Sequence, residues 1–311
     1  MSAPEAVKRV GFVGLGNMGR PMSLNLVQAG FELTVRDADA ARQEEVAAEL
    51  GCAAADTPAA FAGVEAVITM LPNGKIVRDV VLDWDGGLAA ALAPGTVVVD
   101  MSSSEPIGTQ ELGAALAERG VALVDAPVSG GVKGAEAGTL SIMIGGDDEA
   151  ALARVRPLLE VLGGRLFATG PLGSGHAMKA LNNYVCAIGY GAAVEALLVG
   201  TRFGLDPVTM VDVINASSGK NDTTERVLKS QVLTRKFALG FTLALHAKDV
   251  GIAAELAEEI GIEAPLCRLT KEIWAEASAG EPGADCMAAV RYWEKLNDTE
   301  LPVTPMEEAV T

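Results

Sequence analysis

The sequence predicts an α/β protein in which a Rossmann-type, doubly wound parallel sheet is followed by an all-helical domain. Three observations support this class: the first half alternates short β-branched runs with helix-length segments rich in alanine, its strand-like runs are largely apolar, and such runs stop after about residue 170. Strands that are apolar on both faces and separated by helices indicate a parallel sheet covered on both sides. The predicted strands are residues 9–14, 32–36, 65–70, 96–100, 121–125 and 140–146.

A change of pattern sets the predicted domain boundary. The stretch FATGPLGSG, residues 167–175, is rich in glycine and follows the last strand-like run. Beyond it the chain is predicted to form helices, interrupted at RFGLDP, SSGKND and GIEAPL, where turn-forming residues cluster. We therefore expect a Rossmann-type domain over residues 1–168 and an all-helical domain over residues 169–311.

Composition and charge exclude several classes of partner. Hydrophobic residues make up 50% of the chain and charged residues 21%, which is the balance of a globular protein with a substantial core. The formal net charge of −17 opposes non-specific binding to nucleic acid or to anionic membranes, and no run rich in lysine and arginine offsets it locally. We expect neither nucleic acid nor membrane as a partner.

The same survey predicts a cytoplasmic protein. The N-terminal residues MSAPEAVKRVGFVG lack the features of a secretory signal, and the four cysteines have neither CxxC nor metal-type spacing. The most membrane-like run, residues 184–200, contains Glu195 and several glycines and is shorter than the roughly 20 apolar residues of a usual span. We expect it to be a buried helix of a soluble protein.

A glycine-rich loop follows the first predicted strand. In GLGNMG, Gly14, Gly16 and Gly19 form a G-x-G-x-x-G pattern that encloses Asn17 and Met18. Such glycines serve a tight turn, close approach to a pyrophosphate and helix–strand packing, and the following helix N-terminus offers N–H groups to phosphates. The pattern alone is weak, but a strand before it and a helix after it predict a dinucleotide site.

The end of the second predicted strand bears on which dinucleotide binds. Asp37 lies about 20 residues beyond the glycines, where a carboxylate accepts hydrogen bonds from the adenosine ribose. Its charge would repel a 2′-phosphate, which favours NAD over NADP. Arg36 beside it could attract that phosphate, stack on adenine, or simply face solvent. We predict NAD, with NADP possible.

The stretch GSGHAMKALNN, residues 173–183, places a lysine in an otherwise apolar helix. Lys179, Asn182 and Asn183 share one face if this stretch is helical. A cation flanked by two amides could hold an oxygen-rich ligand. The alternative is a lysine at the helix edge that extends its ammonium to water.

Three further segments carry polar residues at informative places. The glycines of APVSGG follow a strand that ends at Asp125, and their N–H groups suit a carboxylate, although a tight turn alone would also need them. Ser103 could contact a ligand or cap a helix that begins near Pro106. Lys248 could reach the site or be an ordinary surface lysine.

Taken together, these motifs resemble the β-hydroxyacid dehydrogenase family, which includes 3-hydroxyisobutyrate dehydrogenase. The resemblance runs from VGFVGLGNMGRPM at residue 10 to HAKDVGIA at residue 246, with DAPVSGG and GSGHAMKALNN between them in the family's order. It implies NAD(P)-dependent hydride transfer involving a small β-hydroxyacid or its semialdehyde. It also implies a homodimer or homotetramer, which agrees with the surplus of apolar residues after Lys179.

The resemblance implies a role for particular residues. Lys179 matches the catalytic lysine, which would act as general base in oxidation and general acid in reduction. Because an ordinary lysine pKa is about 10.4, burial or a nearby cation such as Lys248 would have to lower it. The implied substrate-binding residues are Ser129, Gly130, Gly131, Asn182 and Asn183. The implied cofactor-binding residues outside the glycine loop and Asp37 are Leu71, Pro72, Ser103, where relatives often have threonine, and Lys248.

Two alternatives share this architecture. An imine reductase-like enzyme generally replaces the lysine, and a non-catalytic dinucleotide-binding scaffold loses it and carries extra basic or reader segments. Lys179 argues against both. The particular hydroxyacid cannot be read from motifs, although Met101, Val132, Lys133 and residues 217–225 are candidates for the side pocket.

Overall fold

The computed structural model describes residues 7–305 of the chain, and they form a mostly parallel sheet flanked by helices, followed by a helical region. The strands are β1 (Arg9–Val13), β2 (Glu32–Arg36), β3 (Ala53–Ala54), β4 (Ala66–Thr69), β5 (Val97–Asp100), β6 (Ala122–Asp125), β7 (Val128–Ser129), β8 (Leu140–Gly145) and β9 (Gly163–Gly170).

The helices alternate with these strands in the first half of the chain and then continue alone. The α-helices are α1 (Gly19–Gln28), α2 (Ala40–Leu50), α3 (Gly74–Leu82), α4 (Leu88–Ala91), α5 (Pro106–Ala117), α6 (Gly131–Ala137), α7 (Glu149–Leu162), α8 (Ser174–Phe203), α9 (Pro207–Asn215), α10 (Leu243–Glu259), α11 (Pro265–Gly280) and α12 (Val290–Leu296). Short 3₁₀-helices span Pro58–Phe61, Trp84–Gly86 and Cys286–Ala289, and Thr223–Leu233 is a π-helix.

The sheet has the strand order β3-β2-β1-β4-β5-β6-β8-β7, with β9 paired to β8. The first six of these strands run parallel, and the order reverses between β1 and β4, where doubly wound sheets bind their ligands. β8 is antiparallel to β6 and β7, and β9 is parallel to β8. The predicted fold class is confirmed, with this antiparallel addition at one side of the sheet.

The six predicted strands are present, each within one residue of its predicted ends. The sequence did not indicate β3, β7 and β9. β3 and β7 have two residues each, too few for a periodic pattern. β9 begins with two glycines and has no fully buried residue, so it lacks the apolar run that identifies a central strand.

The core of the sheet lies on both of its faces, as alternating side chains on β5 illustrate. Val97 and Val99 pack in one apolar cluster and Val98 packs in the other, because successive residues of a strand point to opposite faces. Both clusters consist mainly of aliphatic residues. The apolar character of both faces is therefore the physical cause of the continuous apolar runs in the sequence.

Contacts divide the chain into two compact units: the first ends at Lys179 and the second begins at Ala180. This division lies inside α8, whereas the boundary predicted at residues 168/169 lies near the end of β9. The second unit is helical, and the rings of Tyr190, Trp274 and Trp293 pack together within its core.

Helix α8 is the central helix of that core and is only partly buried. Ala187, Tyr190, Val194 and Leu197 form a buried stripe along one face. Other apolar side chains are exposed; Phe203, for example, is 84% exposed. By length and composition alone α8 could cross a membrane. Of its most apolar 18-residue stretch, 39% is buried. The segment predicted to be a buried helix is helical but only partly buried, because its apolar residues surround the helix while the core contacts only one side.

Candidate active site

The glycine loop connects β1 to α1, and each of its glycines meets a different constraint. Gly14 has φ +99°, a backbone conformation that favours glycine, and a Cβ there would lie 2.2 Å from the Met70 carbonyl oxygen. A Cβ on Gly19 would lie 1.8 Å from the Gly14 carbonyl oxygen. A Cβ on Gly16 would meet nothing within 4 Å. Gly14 and Gly19 are therefore required by the packing of the chain, and Gly16 leaves open space for a close-approaching ligand.

The beginning of α1 suits an anion. The N-cap residue is Met18, whose side chain makes no capping hydrogen bond, and the first turn has no acidic residue. The N–H groups of the first turn thus meet no capping side chain, and the positive end of the helix dipole faces the loop. Asn17 is exposed, and Met18 packs partly against the sheet core. The loop therefore fits the pyrophosphate of a dinucleotide by shape and by charge.

Asp37 at the end of β2 holds the loop through its carboxylate. One oxygen accepts a hydrogen bond from the Leu15 N–H at 2.7 Å, and the other accepts one from the Asp39 N–H at 2.9 Å. The side chain is 11% exposed, so these bonds fix its orientation. Each carboxylate oxygen has a second lone pair available to a ribose hydroxyl.

Arg36 is held beside Asp37 by two residues that the sequence did not indicate. Its guanidinium donates to the Gln43 side-chain oxygen at 2.9 Å and to the Asp37 carbonyl oxygen, and it lies 4.9 Å from the centre of the Trp84 ring. A cation stacked on indole in this way is attracted by the ring. Arg36 therefore belongs to a cluster with Gln43 and Trp84. The alternative that Arg36 simply faces solvent was wrong.

Two predicted cofactor segments follow the neighbouring strands β4 and β5. The Leu71 N–H donates to the Ser102 hydroxyl at 2.9 Å, which ties the loop that contains Pro72 to the loop that contains Ser103. Helix α5 begins at Pro106 with Glu105 as its N-cap, without a side-chain capping bond. Ser103 is therefore not the N-cap residue of this helix. Its predicted contact with the nicotinamide stays a prediction.

The SGG segment turns sharply between β7 and α6. Gly130 has φ +137° and Gly131 has φ +62°, both in the region that favours glycine. A Cβ on Gly131 would meet nothing within 4 Å. The turn accounts for both glycines by backbone conformation, and Gly131, like Gly16, leaves open space. Binding of a carboxylate by Ser129, Gly130 and Gly131 stays a prediction.

Two aspartates end adjacent strands in register and are fully buried. Asp100 on β5 accepts hydrogen bonds from the Thr69 hydroxyl at 2.9 Å and the Ser104 hydroxyl at 2.7 Å, and from the Ser102 N–H at 3.0 Å. Asp125 on β6 accepts from the N–H groups of Gly173 and His176, both at 2.8 Å. These bonds satisfy the oxygens of both buried carboxylates.

Asp125 thereby anchors the start of α8 at the carboxyl end of β6. The N–H groups of a first helical turn have no partners within the helix, and Asp125 satisfies two at this end. A Cβ on Gly175 would lie 2.3 Å from the Met143 carbonyl oxygen and 2.8 Å from an Asp125 oxygen, so only glycine permits this approach. Lys179 lies on the next turn of the helix. The sequence placed Asp125 at a strand end but did not indicate its partners.

The second unit contains a separate polar network. Asn183 on α8 donates to Asp249 on α10 at 2.5 Å, and the Lys248 ammonium lies 3.1 Å from the other Asp249 oxygen. Asn182 donates to the Asn183 side-chain oxygen at 3.2 Å. Asp249 is 2% exposed and was not predicted as a site residue, although its position directly after Lys248 was a visible signal.

His246, whose role the sequence left open, belongs to the core of the second unit. Its ring stacks on the Trp274 ring at 4.2 Å between centroids, and the Phe241 ring lies 5.6 Å away. It is 4% exposed. Stacking within an aromatic cluster is sufficient reason for a ring at this position.

The sheet and the glycine loop together define a dinucleotide-binding protein, and comparison with known proteins gives the family. Residues 9–170 match a family model described as the NAD-binding domain of 6-phosphogluconate dehydrogenase. Residues 173–293 match a model described as the NAD-binding domain of NADP-dependent 3-hydroxyisobutyrate dehydrogenase. The chain belongs to the β-hydroxyacid dehydrogenase family.

Similar proteins match the chain over nearly its whole length. The 2-(hydroxymethyl)glutarate dehydrogenase of Eubacterium barkeri is 37% identical, covering 93% of this chain and 95% of its own. The NAD-dependent L-serine dehydrogenase of Pseudomonas aeruginosa is 38% identical, covering 86% and 91%. The structure of 3-hydroxyisobutyrate dehydrogenase from Mycobacterium tuberculosis with L-serine has a TM-score of 0.85 and 36% identity, covering 92% of this chain and 99% of its own. The predicted family, enzyme class and NAD(P) cofactor are confirmed.

The imine reductase alternative is less well supported. An imine reductase of Streptomyces aurantiacus has a TM-score of 0.60 and 21% identity, a level that indicates a shared fold alone. The chain is an NAD(P)-dependent dehydrogenase of the hydroxyacid family.

Proposed function

We propose that this protein catalyses the reversible, NAD-linked oxidation of a small β-hydroxyacid to its semialdehyde, with Lys179 as the general acid/base. The observation that carries the proposal is the anchoring of α8 on Asp125. Through two hydrogen bonds of 2.8 Å, the first turn of the helix is fixed at the carboxyl end of β6, the same edge of the sheet from which the glycine loop and the SGG turn extend. Ligands of open α/β sheets bind at this edge.

The residues would divide the work between binding and proton transfer. Gly16 and the N-terminus of α1 would hold the pyrophosphate, and Asp37 would hold the adenosine ribose. The nicotinamide supplies hydride acceptance and donation when it is bound. The Ser129 hydroxyl and the N–H groups of the two following glycines would hold the substrate carboxylate, which leaves the carbinol free to face the lysine.

Lys179 would move the proton of the reacting oxygen. In oxidation the neutral amine of Lys179 takes the proton of the substrate hydroxyl, and the carbon that carries this hydroxyl gives its hydride to the nicotinamide. In reduction the ammonium of Lys179 returns a proton to the carbonyl oxygen. Asn183 lies four residues further along α8 and is oriented by Asp249 at 2.5 Å, so its amide would hold the same oxygen in a fixed direction. The ion pair with Asp249 at 3.1 Å would likewise hold Lys248 in place.

The cofactor preference follows from Asp37 and Arg36. The Asp37 carboxylate is held in place by the Leu15 and Asp39 N–H groups, where it would repel a 2′-phosphate. Arg36 is occupied by Gln43 and stacks on Trp84, so it is less available to attract that phosphate. We expect a higher kcat/KM with NAD than with NADP, and a tenfold or greater preference for NADP would contradict this assignment.

Substitution of the lysine tests the mechanism. Lys179→Ala should lower kcat by roughly 10²- to 10⁴-fold, as loss of a proton-transfer group typically does. NADH binding, measured by fluorescence titration, should be retained. Lys271→Ala, which removes an exposed lysine paired with Glu255 in the second unit, is the matched control and should leave kcat unchanged. An unimpaired kcat in Lys179→Ala would end the proposal.

A substrate panel gives the class of hydroxyacid. 3-Hydroxyisobutyrate, L-serine, 2-(hydroxymethyl)glutarate and, for the reverse reaction, tartronate semialdehyde share a carboxylate and a reacting carbon at the β-position. Wild-type NAD reduction measured on these compounds at equal concentration would rank them by kcat/KM. Absence of turnover on every one of them would favour the non-catalytic scaffold.

We also propose that the enzyme is a cytoplasmic homodimer or homotetramer that associates through the second unit. Val199, Phe203 and Leu296 are 71%, 84% and 69% exposed and border one groove together with Leu198 and Trp293. An exposed apolar patch of this kind is typical of a protein interface. The free thiols of the four cysteines agree with a reducing compartment.

Light scattering at micromolar concentration tests the association. The expected mass is that of two or four chains, and Phe203→Ser should lower it, whereas Val213→Ser on α9 should not. A monomeric wild-type protein would contradict the proposal.

A further inference from the structure

His176 is a buried histidine that the proposed reaction does not use. It lies in the first turn of α8, three residues before Lys179, and is 1% exposed. Groups from three other elements surround its ring: Thr109 of α5, Asp100 at the end of β5 and Asp125 at the end of β6. All three are themselves buried. The fold therefore holds this one side chain from several directions.

The hydrogen bond to Thr109 fixes how the ring is turned. The Thr109 hydroxyl donates to the Glu105 carbonyl oxygen at 2.9 Å, so its lone pairs are available to the ring. The ring nitrogen Nδ1 lies 2.8 Å from the same hydroxyl and donates to it. The other nitrogen, Nε2, then faces Asp100, with 3.6 Å between Nε2 and the carboxylate oxygen. This distance is too long for a hydrogen bond, and Nε2 has no hydrogen-bond partner among the described residues.

The main chain of the same residue is held independently. The His176 N–H donates to Asp125 at 2.8 Å, and the neighbouring Gly175 lies against the Asp125 and Met143 oxygens with no room for a Cβ. The turn can thus neither rise from the sheet nor slide along it without losing these contacts. The side chain of His176 adds a contact to Thr109 on α5, which opposes rotation of the turn about the helix axis.

We infer that His176 is a positioning residue that fixes the direction of Lys179. Residues three apart on a helix lie on neighbouring lines of one face, so a rotation that moves one moves the other. With the imidazole held by Thr109, the Lys179 side chain starts from a fixed point and orientation. This inference rests on the proposed role of Lys179 in proton transfer, where a displacement of about 1 Å can lower the rate by about 10²-fold.

Substitution of the imidazole tests the inference. His176→Leu removes both ring nitrogens but keeps the backbone bonds to Asp125. We expect kcat per NADH-binding site to fall roughly tenfold to a hundredfold, with the dissociation constant of NADH unchanged. His176→Gln restores an amide that can bond at this place and should recover most of the lost kcat. Normalisation to the number of NADH-binding sites separates a positioning role from a structural one, which would lower the number of sites instead.

Two further variants keep the test decisive. Thr109→Val removes the partner hydroxyl without changing its shape and should lower kcat in the same direction as His176→Leu, by less. Ser174→Ala removes a bond of the same turn to Thr169 on β9, 2.8 Å long, and should leave kcat unchanged. A wild-type kcat in His176→Leu, or an equal loss in Ser174→Ala, would overturn the inference.

Hydrogen exchange distinguishes this inference from the proposed function itself. Amides of residues 173–179 should exchange faster in His176→Leu than in the wild type and in His176→Gln, whereas those of the glycine loop should not change. If Lys179→Ala kept full activity, the proposed function would fail while this exchange pattern still reported on the positioning contact. Unchanged exchange over residues 173–179 would show that His176 does not hold the turn.

Discussion

Asp125 in the first unit and Asp249 in the second are both buried carboxylates, 0% and 2% exposed, but their partners differ in kind. Asp125 accepts from two main-chain N–H groups, whereas Asp249 contacts the side chains of Asn183 and Lys248. Main-chain donors fix the path of the chain, and side-chain donors fix the orientation of functional groups. We therefore expect the first aspartate to matter mainly for stability and the second mainly for catalysis.

Replacement of Asp125 should have the largest effect on stability. In Asp125→Asn the side-chain NH2 group faces one of the two N–H groups at the start of α8 and cannot accept its hydrogen bond. The variant also loses the attraction between the carboxylate charge and the helix dipole. Loss of a hydrogen bond to a charged group costs about 1.5–3 kcal/mol, so the free energy of unfolding should fall by about 3 kcal/mol. Guanidinium unfolding followed by circular dichroism measures this.

The control for this variant is Asp148, an exposed aspartate that caps a helix. Asp148 accepts from the N–H groups of Ala150 and Ala151 at the start of α7, and Asp148→Asn should cost less than about 1 kcal/mol. If Asp125→Asn and Asp148→Asn lowered the free energy of unfolding equally, burial of Asp125 would not strengthen its hydrogen bonds to the helix.

Replacement of Asp249 should show in turnover instead. Asp249→Asn removes the charge beside Lys248 and one acceptor for the Asn183 amide. We expect kcat/KM to fall roughly tenfold to a hundredfold, about 1.4–2.7 kcal/mol of transition-state stabilisation, with a smaller change in unfolding than for Asp125→Asn. Glu160→Gln, which breaks an exposed pair with Arg156, is the control and should change neither quantity. If Asp249→Asn lowered the free energy of unfolding but left kcat unchanged, Asp249 would matter for stability and not for catalysis.

A substitution in the glycine loop should weaken NADH binding and leave the stability of the fold unchanged. Gly16→Ala places a methyl group in open space and should raise the dissociation constant of NADH about tenfold, or about 1.4 kcal/mol, with the unfolding midpoint unchanged. Gly280→Ala at the end of α11 also meets open space and should leave NADH binding intact. If Gly16→Ala bound NADH normally, the loop would not approach the pyrophosphate closely.

Glu65 is an exposed counterpart of Asp125 and should have the smallest effect. It accepts from the N–H groups of Lys8 and Arg9, which lower the pKa of its carboxyl below the ordinary value of 4.5. A depressed folded-state pKa stabilises the protein above pH 4.5, and this contribution is lost as the pH falls through the folded-state pKa. The stability difference between wild type and Glu65→Gln should therefore be present at pH 7 and disappear in acid. A difference that persisted at low pH would have another cause.

Local sequence predicted the elements whose side chains face a core on both sides. β1, β4, β5 and β6 appear as apolar runs because each has residues in both apolar clusters, whereas β2 and β8 have buried residues in one of them. The chain also contains β9, which is partly exposed and begins with two glycines, and no local pattern indicates such a strand. Its position depends on β8, with which it pairs.

In the candidate site too, residues within a local motif were predicted and contacts between distant segments were not. The glycine loop, Asp37, the SGG turn and Lys179 were predicted because each lies within a short motif of characteristic residue types. Trp84 beside Arg36, and Thr109 beside His176, were not predicted, because each pair joins segments far apart in the chain.

The sequence by itself determined the class of fold, the glycine-loop motif, the family and the residues proposed to carry the chemistry, since all of these depend on neighbours along the chain. Only the tertiary structure decided which buried groups satisfy one another. Asp125 and His176 are separated by 51 residues and Asn183 and Asp249 by 66, and a buried charge is stable only with the partner that folding brings to it. That pairing is a property of the packed chain, because sequence records which groups are present but not which of them meet.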